Sequence, residues 1–233
     1  MDVKSIFHCM SDAIQLMFDR ISSRYDFLNR FLSLRRDVAW RRRACRMAGP
    51  ANRILDLCGG TGDFLLSHRR LWGSAKTDVV GDFSRGMLQI AKAKSPGIHL
   101  VQLDALKIPL GSASMDLTLC GFGMRNLDHL DQGLSEVSRV LVKDGCFVVL
   151  EFFRPTNLWT RFFYGVLGAL LIPIAGAIFS GRREAYEYLV RSVRRFVSVE
   201  EFSQQAKNAG FHTDAMIALD GGIAHLVVLR KEI

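Results

Sequence analysis

Apolar residues follow two rhythms along the chain. Over residues 6–48 they recur every three or four positions, as at Ile14, Met17, Phe18 and Ile21, which predicts an N-terminal helical segment. Gly49-Pro50 breaks that pattern. Beyond it, short apolar runs alternate with amphipathic stretches. Residues 54–57, 78–81, 98–103, 116–120 and 146–152 read as strands, the last announced by Asp144-Gly145. Between them, helices are expected around Met87, Leu88 and Ile90, capped by Ser84, and over 127–141. A further helix over 198–208 precedes two final strands, near 211–219 and 223–229. Strands that alternate with helices argue for an α/β fold, a doubly wound and mostly parallel sheet covered on both faces.

One stretch leaves this rhythm. Residues 162–179 carry no charge, and the apolar stretch 158–180 approaches the length of a membrane span. It contains Gly165, Gly168, Pro173 and Gly176, and the sheet resumes after it. A true span would leave the last strands on the far side of the bilayer from their partners. The expectation is therefore a helical lid within an apolar and basic insertion at 155–195, buried or dipping into the bilayer surface. The whole of 1–233 then forms a single domain, with 1–48 as its helical entry.

Composition narrows the function classes. Of 233 residues, 49% are hydrophobic and 23% charged, and the mean hydropathy is +0.14, which excludes a disordered chain. Net charge is +8 with a pI near 9.5. Arginines crowd two places, Arg35, Arg36, Arg41, Arg42, Arg43 and Arg46, then Arg182, Arg183, Arg191, Arg194 and Arg195. These clusters are either solvated helix faces or surfaces that meet anionic lipid. No nucleic-acid reading element or aromatic base platform accompanies them, so nucleic acid is not an expected partner. The five cysteines (Cys9, Cys45, Cys58, Cys120 and Cys146) show no metal-ligand spacing, and no metal is expected. Their odd number suits a reducing compartment. Asp2 and the lack of an initial apolar run predict a cytoplasmic protein.

The chemistry centres on Leu55-Asp56-Leu57-Cys58-Gly59-Gly60-Thr61-Gly62-Asp63, where a strand ends and a helix begins. Glycines at such a turn let a ligand approach the backbone. Asp82, at the end of the second strand, is placed to accept hydrogen bonds from ribose hydroxyls. Asp104 follows the third strand, where it or the amide of Ala105 can reach an adenine edge. Each acid alone could equally be a turn residue or a helix cap. Three such features at consecutive strand ends point to a nucleoside ligand, since ligands of these sheets bind at the carboxyl ends. A dinucleotide fingerprint is incomplete because position 65 is leucine, and no P-loop is present.

With these motifs the chain resembles the class I methyltransferases, and more narrowly the ubiquinone/menaquinone biosynthesis C-methyltransferases. The resemblance covers nearly the whole chain. It is carried by Phe18-Asp19, Ser23-Arg24-Tyr25-Asp26, Asn29, Trp40-Arg41-Arg42, the glycine turn, Asp82-Phe83-Ser84 and, most specifically, Phe122-Gly123-Met124-Arg125-Asn126. Glu136 to Leu141, Leu150-Glu151-Phe152 and Gly221-Gly222-Ile223 complete it. The resemblance implies a Rossmann-like seven-stranded sheet, with S-adenosyl-L-methionine as cofactor, held by Asp56, Gly60, Thr61, Asp82, Asp104 and Ala105. It implies C-methylation of a prenylated demethylquinol, foremost demethylmenaquinol to menaquinol. The alternatives are the 2-methoxy-6-polyprenyl-benzoquinol of ubiquinone biosynthesis or another apolar small molecule. Departures are Cys58 in place of a glycine, Gly121 in place of a serine, and His225-Leu226-Val227 in the last strand.

Arg125 and Asn126 are the expected catalytic pair, orienting the substrate hydroxyl next to the carbon to be methylated. Arginine is not an ordinary base because its pKa stays very high. The competing reading makes Arg125 a structural ion-pair partner. None of the six histidines lies in a recognisable catalytic motif, and Tyr25 and Asp26 are candidate substrate-side groups. The isoprenoid tail would meet the apolar insertion, which suggests peripheral contact with the inner face of an anionic membrane. Assembly as a homo-oligomer is left open.

Overall fold

The computed structural model describes residues 30, 33, 35–166 and 183–232. Most of the predicted N-terminal segment, including Tyr25 and Asp26, and the apolar stretch 167–182 lie outside the described residues. The order of elements is helix α1 (Arg36–Ala48), β1 (Arg53–Leu57), α2 (Asp63–Trp72), β2 (Thr77–Asp82), α3 (Arg85–Lys94), β3 (His99–Gln102) and β4 (Met115–Gly121). A 3-10 turn (Met124–Asn126) leads into α4 (Leu130–Val140) and β5 (Leu141–Glu151). After a helical segment at 158–166 come α5 (Arg183–Arg195), α6 (Val199–Asn208), β6 (Phe211–Leu219) and β7 (Ala224–Lys231).

The seven strands form one sheet in the order β3-β2-β1-β4-β5-β7-β6. β1 to β5 run parallel, and β7 lies antiparallel to both β5 and β6. Central strands of such a sheet are apolar on both faces. Ile54, Leu55 and Leu57 of β1 are accordingly all fully buried, Ile54 in one core layer and Leu55 and Leu57 in the other. Leu134 and Val137 of α4 and Phe202 of α6 fill one layer. Trp40 and Ala44 of α1, Phe64 and Leu65 of α2 and Leu88 of α3 fill the other.

Local signals explain several boundaries. Ser84 caps α3 by accepting from the Met87 amide at 3.2 Å. Ser198 and Glu201 form a reciprocal capping box at α6, which satisfies two otherwise orphaned donors. Two boundaries differ from the pattern-based expectation. The helix expected over 127–141 begins at Leu130, because Leu127 is extended and its side chain lies where a Cβ on Gly133 would sit, 2.5 Å away. The strand expected to start at Cys146 begins at Leu141: Leu141 pairs with Met115, the register shifts, and pairing resumes at Cys146. Asp144, at φ 60°, makes that irregularity.

Candidate functional site

The carboxyl ends of β3, β2, β1, β4 and β5 form a continuous rim, which Asp104, Asp82, the 58–62 turn, Arg125-Asn126 and Glu151 occupy in that order. At the middle of the rim the chain leaves β1 through Cys58, with φ 52°, in the left-handed region that glycine tolerates better. Cysteine at this position thus carries a small conformational cost where a glycine would not. Gly59 is required by packing, since a Cβ there would lie 2.8 Å from the Asp56 carboxyl carbon, the Asp56 carbonyl oxygen and a Val80 methyl. Its amide donates to the Gly81 carbonyl at 3.1 Å, which ties the turn to β2.

The predicted acids occupy three different environments. Asp82 is buried, and its two carboxylate oxygens accept from the Gly60 amide and the Ser84 amide, each at 2.8 Å. It therefore holds the glycine turn and starts α3 together. Asp104 is exposed and accepts from the Leu106 amide at 2.8 Å, while Ala105 beside it is buried. Asp56 is fully buried inside β1 and accepts from the Leu65 amide at 3.0 Å through Oδ2. Burial pushes its carboxyl up to about 7, against the pull of the Leu65 hydrogen bond and of Arg41.

Between the turn, β4 and α1 opens a small cleft lined by Arg41, Asp56, Cys58, Gly60, Thr61 and Gly121, among others. Thr61 is buried, and its hydroxyl accepts from Lys94 Nζ at 2.7 Å. Lys94 also donates to Asp63 at 2.6 Å, and Arg30 lies 3.7 Å from the same carboxylate. Burial alone would raise the Asp63 carboxyl, but Lys94, Arg41 and Arg30 together hold it below the usual carboxylate range. Lys94, at the end of α3, was not among the residues expected from sequence. A lysine in the last turn of a helix carries no local sign that it reaches another loop.

These features fit S-adenosylmethionine. The ligand is a nucleoside joined through a sulfonium to a zwitterionic amino acid, and the rim offers acids first, then a glycine turn, then a cleft with buried charges of both signs. Asp104 and Asp82 are the two acids the sequence assigns to base and ribose, and the cleft follows them along the same rim.

The far end of the rim is built on an ion pair. Arg125 Nη1 donates to Glu151 Oε1 at 2.7 Å and to the Phe122 carbonyl at 2.5 Å. The Arg125 amide donates to Glu151 Oε2 at 3.2 Å, and the Phe152 amide to Oε1 at 2.7 Å. The arginine side chain is 7% exposed and the glutamate 0%. Its guanidinium also lies 5.7 Å from the centre of the Phe152 ring, which stacks on Phe122 at 4.6 Å. Phe122 turns with φ 61°, and Gly123 must follow because a Cβ would lie 2.4 Å from that of Cys58. The motif 122–126 is thus a tight turn packed onto the glycine loop, with Arg125 aimed back at β5. Glu151 escaped the sequence reading as a site residue. Its signal, an acid at the carboxyl end of a strand, is the one that singled out Asp82.

Asn126 donates through Nδ2 to the Phe122 carbonyl at 3.3 Å and accepts at Oδ1 from the Tyr188 hydroxyl at 2.8 Å. Tyr188 links α5 to the rim, and burial raises its phenol. Tyr164, in the segment 158–166, is buried and donates to the Ile223 carbonyl at 2.7 Å. His225 pairs with Glu151 across β5 and β7, and burial lowers its pKa, against the pull of Glu200. Cys120 is buried against Cys58, and the hydrogen bond between them together with burial raises its thiol well above the usual range. No group of residues suited to hold a metal occurs among the described residues.

Comparison with known proteins places this geometry. A model of the ubiE/COQ5 methyltransferase family matches residues 7–230. Demethylmenaquinone methyltransferase of Deinococcus radiodurans is 39% identical over 233 residues, covering 94% of this chain and 92% of that one. Ubiquinone/menaquinone biosynthesis C-methyltransferase UbiE of Campylobacter jejuni is 34% identical over 231 residues, covering 92% and 96%. Among solved structures, a SAM-dependent methyltransferase of Thermotoga maritima superposes with a TM-score of 0.67 at 20% identity, over 93% of this chain and 99% of that one. That likeness establishes the class I methyltransferase fold.

Proposed function

Because the chain belongs to the ubiE/COQ5 methyltransferase family, we propose that it methylates a ring carbon of a prenylated demethylquinol, foremost demethylmenaquinol, with S-adenosylmethionine as donor. One observation carries this reading. The glycine turn, Asp82 and the Arg125-Asn126 turn lie on neighbouring strand ends, so a nucleoside held at one end reaches a second ligand held at the other. The name of the Deinococcus relative favours a naphthoquinol over a benzoquinol.

The cofactor supplies an electrophilic methyl group when bound. The residues supply position and charge. Asp82 takes the ribose hydroxyls, and the 104–105 pair meets the adenine edge. The glycine turn brings the backbone close to the ligand. Asp56, with a carboxyl near 7, recovers its charge beside the ligand's ammonium group. At the substrate end, Arg125 is fixed by Glu151 and by the Phe122 carbonyl, so its charge costs little further reorganisation when a neighbouring hydroxyl becomes a phenolate. Asn126, held by Tyr188, orients that hydroxyl. Holding the ring carbon in line with the methyl–sulfur bond is chiefly a positional contribution.

The quinol tail needs an apolar path. Leu158, Trp159 and Phe162 are 82%, 59% and 66% exposed on the segment 158–166, while Tyr164 anchors it to Ile223, in the turn that leads into β7. This supports a lid that meets the tail or the surface of an anionic membrane. Among the described residues no helix is long and apolar enough to cross a membrane. The test is a methyl-transfer assay on demethylmenaquinol and on its 2-methoxy-6-polyprenyl-benzoquinol counterpart, with product mass and ring position determined. Preferential transfer to the naphthoquinol is expected. Transfer to neither, with cofactor binding intact, would overturn the substrate assignment.

A further inference from the structure

Six arginines lie at positions 35–46, and only one of them is buried. Arg35, Arg36, Arg42, Arg43 and Arg46 face solvent. Arg41 is 6% exposed and belongs to the inward stripe Asp37, Trp40, Arg41, Ala44 and Cys45 of α1. That stripe has the spacing at which a helix presents apolar residues to a core. A guanidinium there has lost most of its water, and its position asks for a partner. Asp37 supplies one hydrogen bond, from Nη1 at 2.6 Å. A guanidinium has five N–H donors, and among the described residues Asp37 is the only hydrogen-bond partner of this one. The Phe122 ring lies 5.9 Å from its central carbon, a contact that uses no donor.

Arg41 lines the cleft that also contains Asp56, Thr61 and Gly121. Its charge acts on Asp56 and Asp63, lowering both carboxyls against the effect of burial. Along the rim, adenine and ribose belong at Asp104 and Asp82, so the remaining arm of the ligand falls into this cleft. That arm ends in an α-carboxylate, and a planar fork of donors suits a carboxylate better than any other anion-binding side chain.

We propose that Arg41 is the receptor for the α-carboxylate of the cofactor's methionine arm, held from behind by Asp37. The assignment rests on S-adenosylmethionine being the ligand. It gives the Trp40-Arg41 pair a role separate from the surface arginines around it: residue 41 binds ligand, and the others face solvent.

The probes are S-adenosylmethionine and its decarboxylated form, which keeps adenosine, sulfonium and amine and lacks only the carboxylate. Both are titrated calorimetrically into the full chain. Wild-type protein should prefer S-adenosylmethionine by about 10- to 100-fold, as expected for a charge-assisted hydrogen-bonded pair. In Arg41→Gln, whose amide still donates to Asp37, the preference should fall toward unity because only the carboxylate-bearing ligand weakens. Arg41→Lys, which keeps the charge and loses the fork, should retain part of the preference. Thermal unfolding checks that each variant is folded. Equal affinity of wild type for both probes, or an unchanged preference in either folded variant, would overturn the assignment. Wild type that binds neither probe would refute the cofactor reading itself, an outcome distinct from loss of discrimination.

Discussion

At the β1–β2 end of the rim, the glycine turn is fixed largely by backbone amides. Gly60 and Asp82, joined by a hydrogen bond, are 22 residues apart, and the turn between β1 and α2 is tied to β2 by its own amides. At the β4–β5 end the site is held side chain to side chain. Arg125 reaches Glu151 26 residues on, and Asn126 reaches Tyr188 62 residues on. The β1–β2 end is a backbone-held device that tolerates loss of one hydrogen bond. The β4–β5 end is a buried ionic cluster, in which removing one member leaves another charged and unsatisfied.

Glu151→Ala tests this contrast most severely. It leaves Arg125 buried without its carboxylate, and stability should fall by about 3–5 kcal/mol, read from urea unfolding. Glu151→Gln, which preserves shape, should fall by less and lose turnover while keeping cofactor affinity. A small stability loss on Glu151→Ala would remove the distinction between the two ends.

Asp56→Asn should act in the opposite sense at the β1–β2 end. The folded-state carboxyl lies near 7, above its ordinary value of 3.8, so the folded protein holds the proton more tightly than the unfolded chain does. Stability without ligand therefore declines as pH rises from about 4 to about 7 and stays low above that. The asparagine variant should lose this decline and gain roughly 2–4 kcal/mol at pH 8, with little change at pH 4. Thermal unfolding across pH measures it, and parallel curves for the two proteins would contradict a buried acid of raised pKa.

Asp82→Ala should weaken cofactor binding by about 1.5–3 kcal/mol in calorimetry. A moderate drop in melting temperature should accompany it, because the same carboxylate holds Gly60 and Ser84. Unchanged affinity in the folded variant would remove Asp82 from the ligand site. Tyr188→Phe should have the smallest effect, about 0.5–1.5 kcal/mol. It should appear in turnover and not in cofactor affinity, since the lost bond positions Asn126 alone. An effect on both would mean that the two ends are coupled through α5.

The same contrast decides what was legible in the sequence. Alternating apolar runs gave the strands, and Ser84 marked a helix start by its own chemistry. The places of the glycine turn, Asp82 and Asp104 at strand ends were legible because strand ends are readable from hydropathy. Arg41 stood unseen among six arginines, because burial on a helix face appears only when that helix is docked. Lys94, Tyr188 and the pairing of Arg125 with Glu151 depend on contacts between segments that no spacing encodes. Leu141 looked like the end of a helix and is the first residue of a strand, because its partner Met115 lies across the sheet.

The placing of β7 has a consequence for synthesis. The last strand lies between β5 and β6, so β5 has an open edge, and β6 has no neighbour in the sheet, until Ala224–Lys231 emerges. Glu151 marks the end of that edge. At about 5–20 residues per second, the chain from there to Lys231 takes roughly 4–16 s to make. Throughout that interval a nascent polypeptide with a nearly finished parallel sheet presents an unpaired apolar strand, the kind of edge that recruits other chains. Premature termination anywhere before β7 should thus release chains that aggregate, however complete their parallel half.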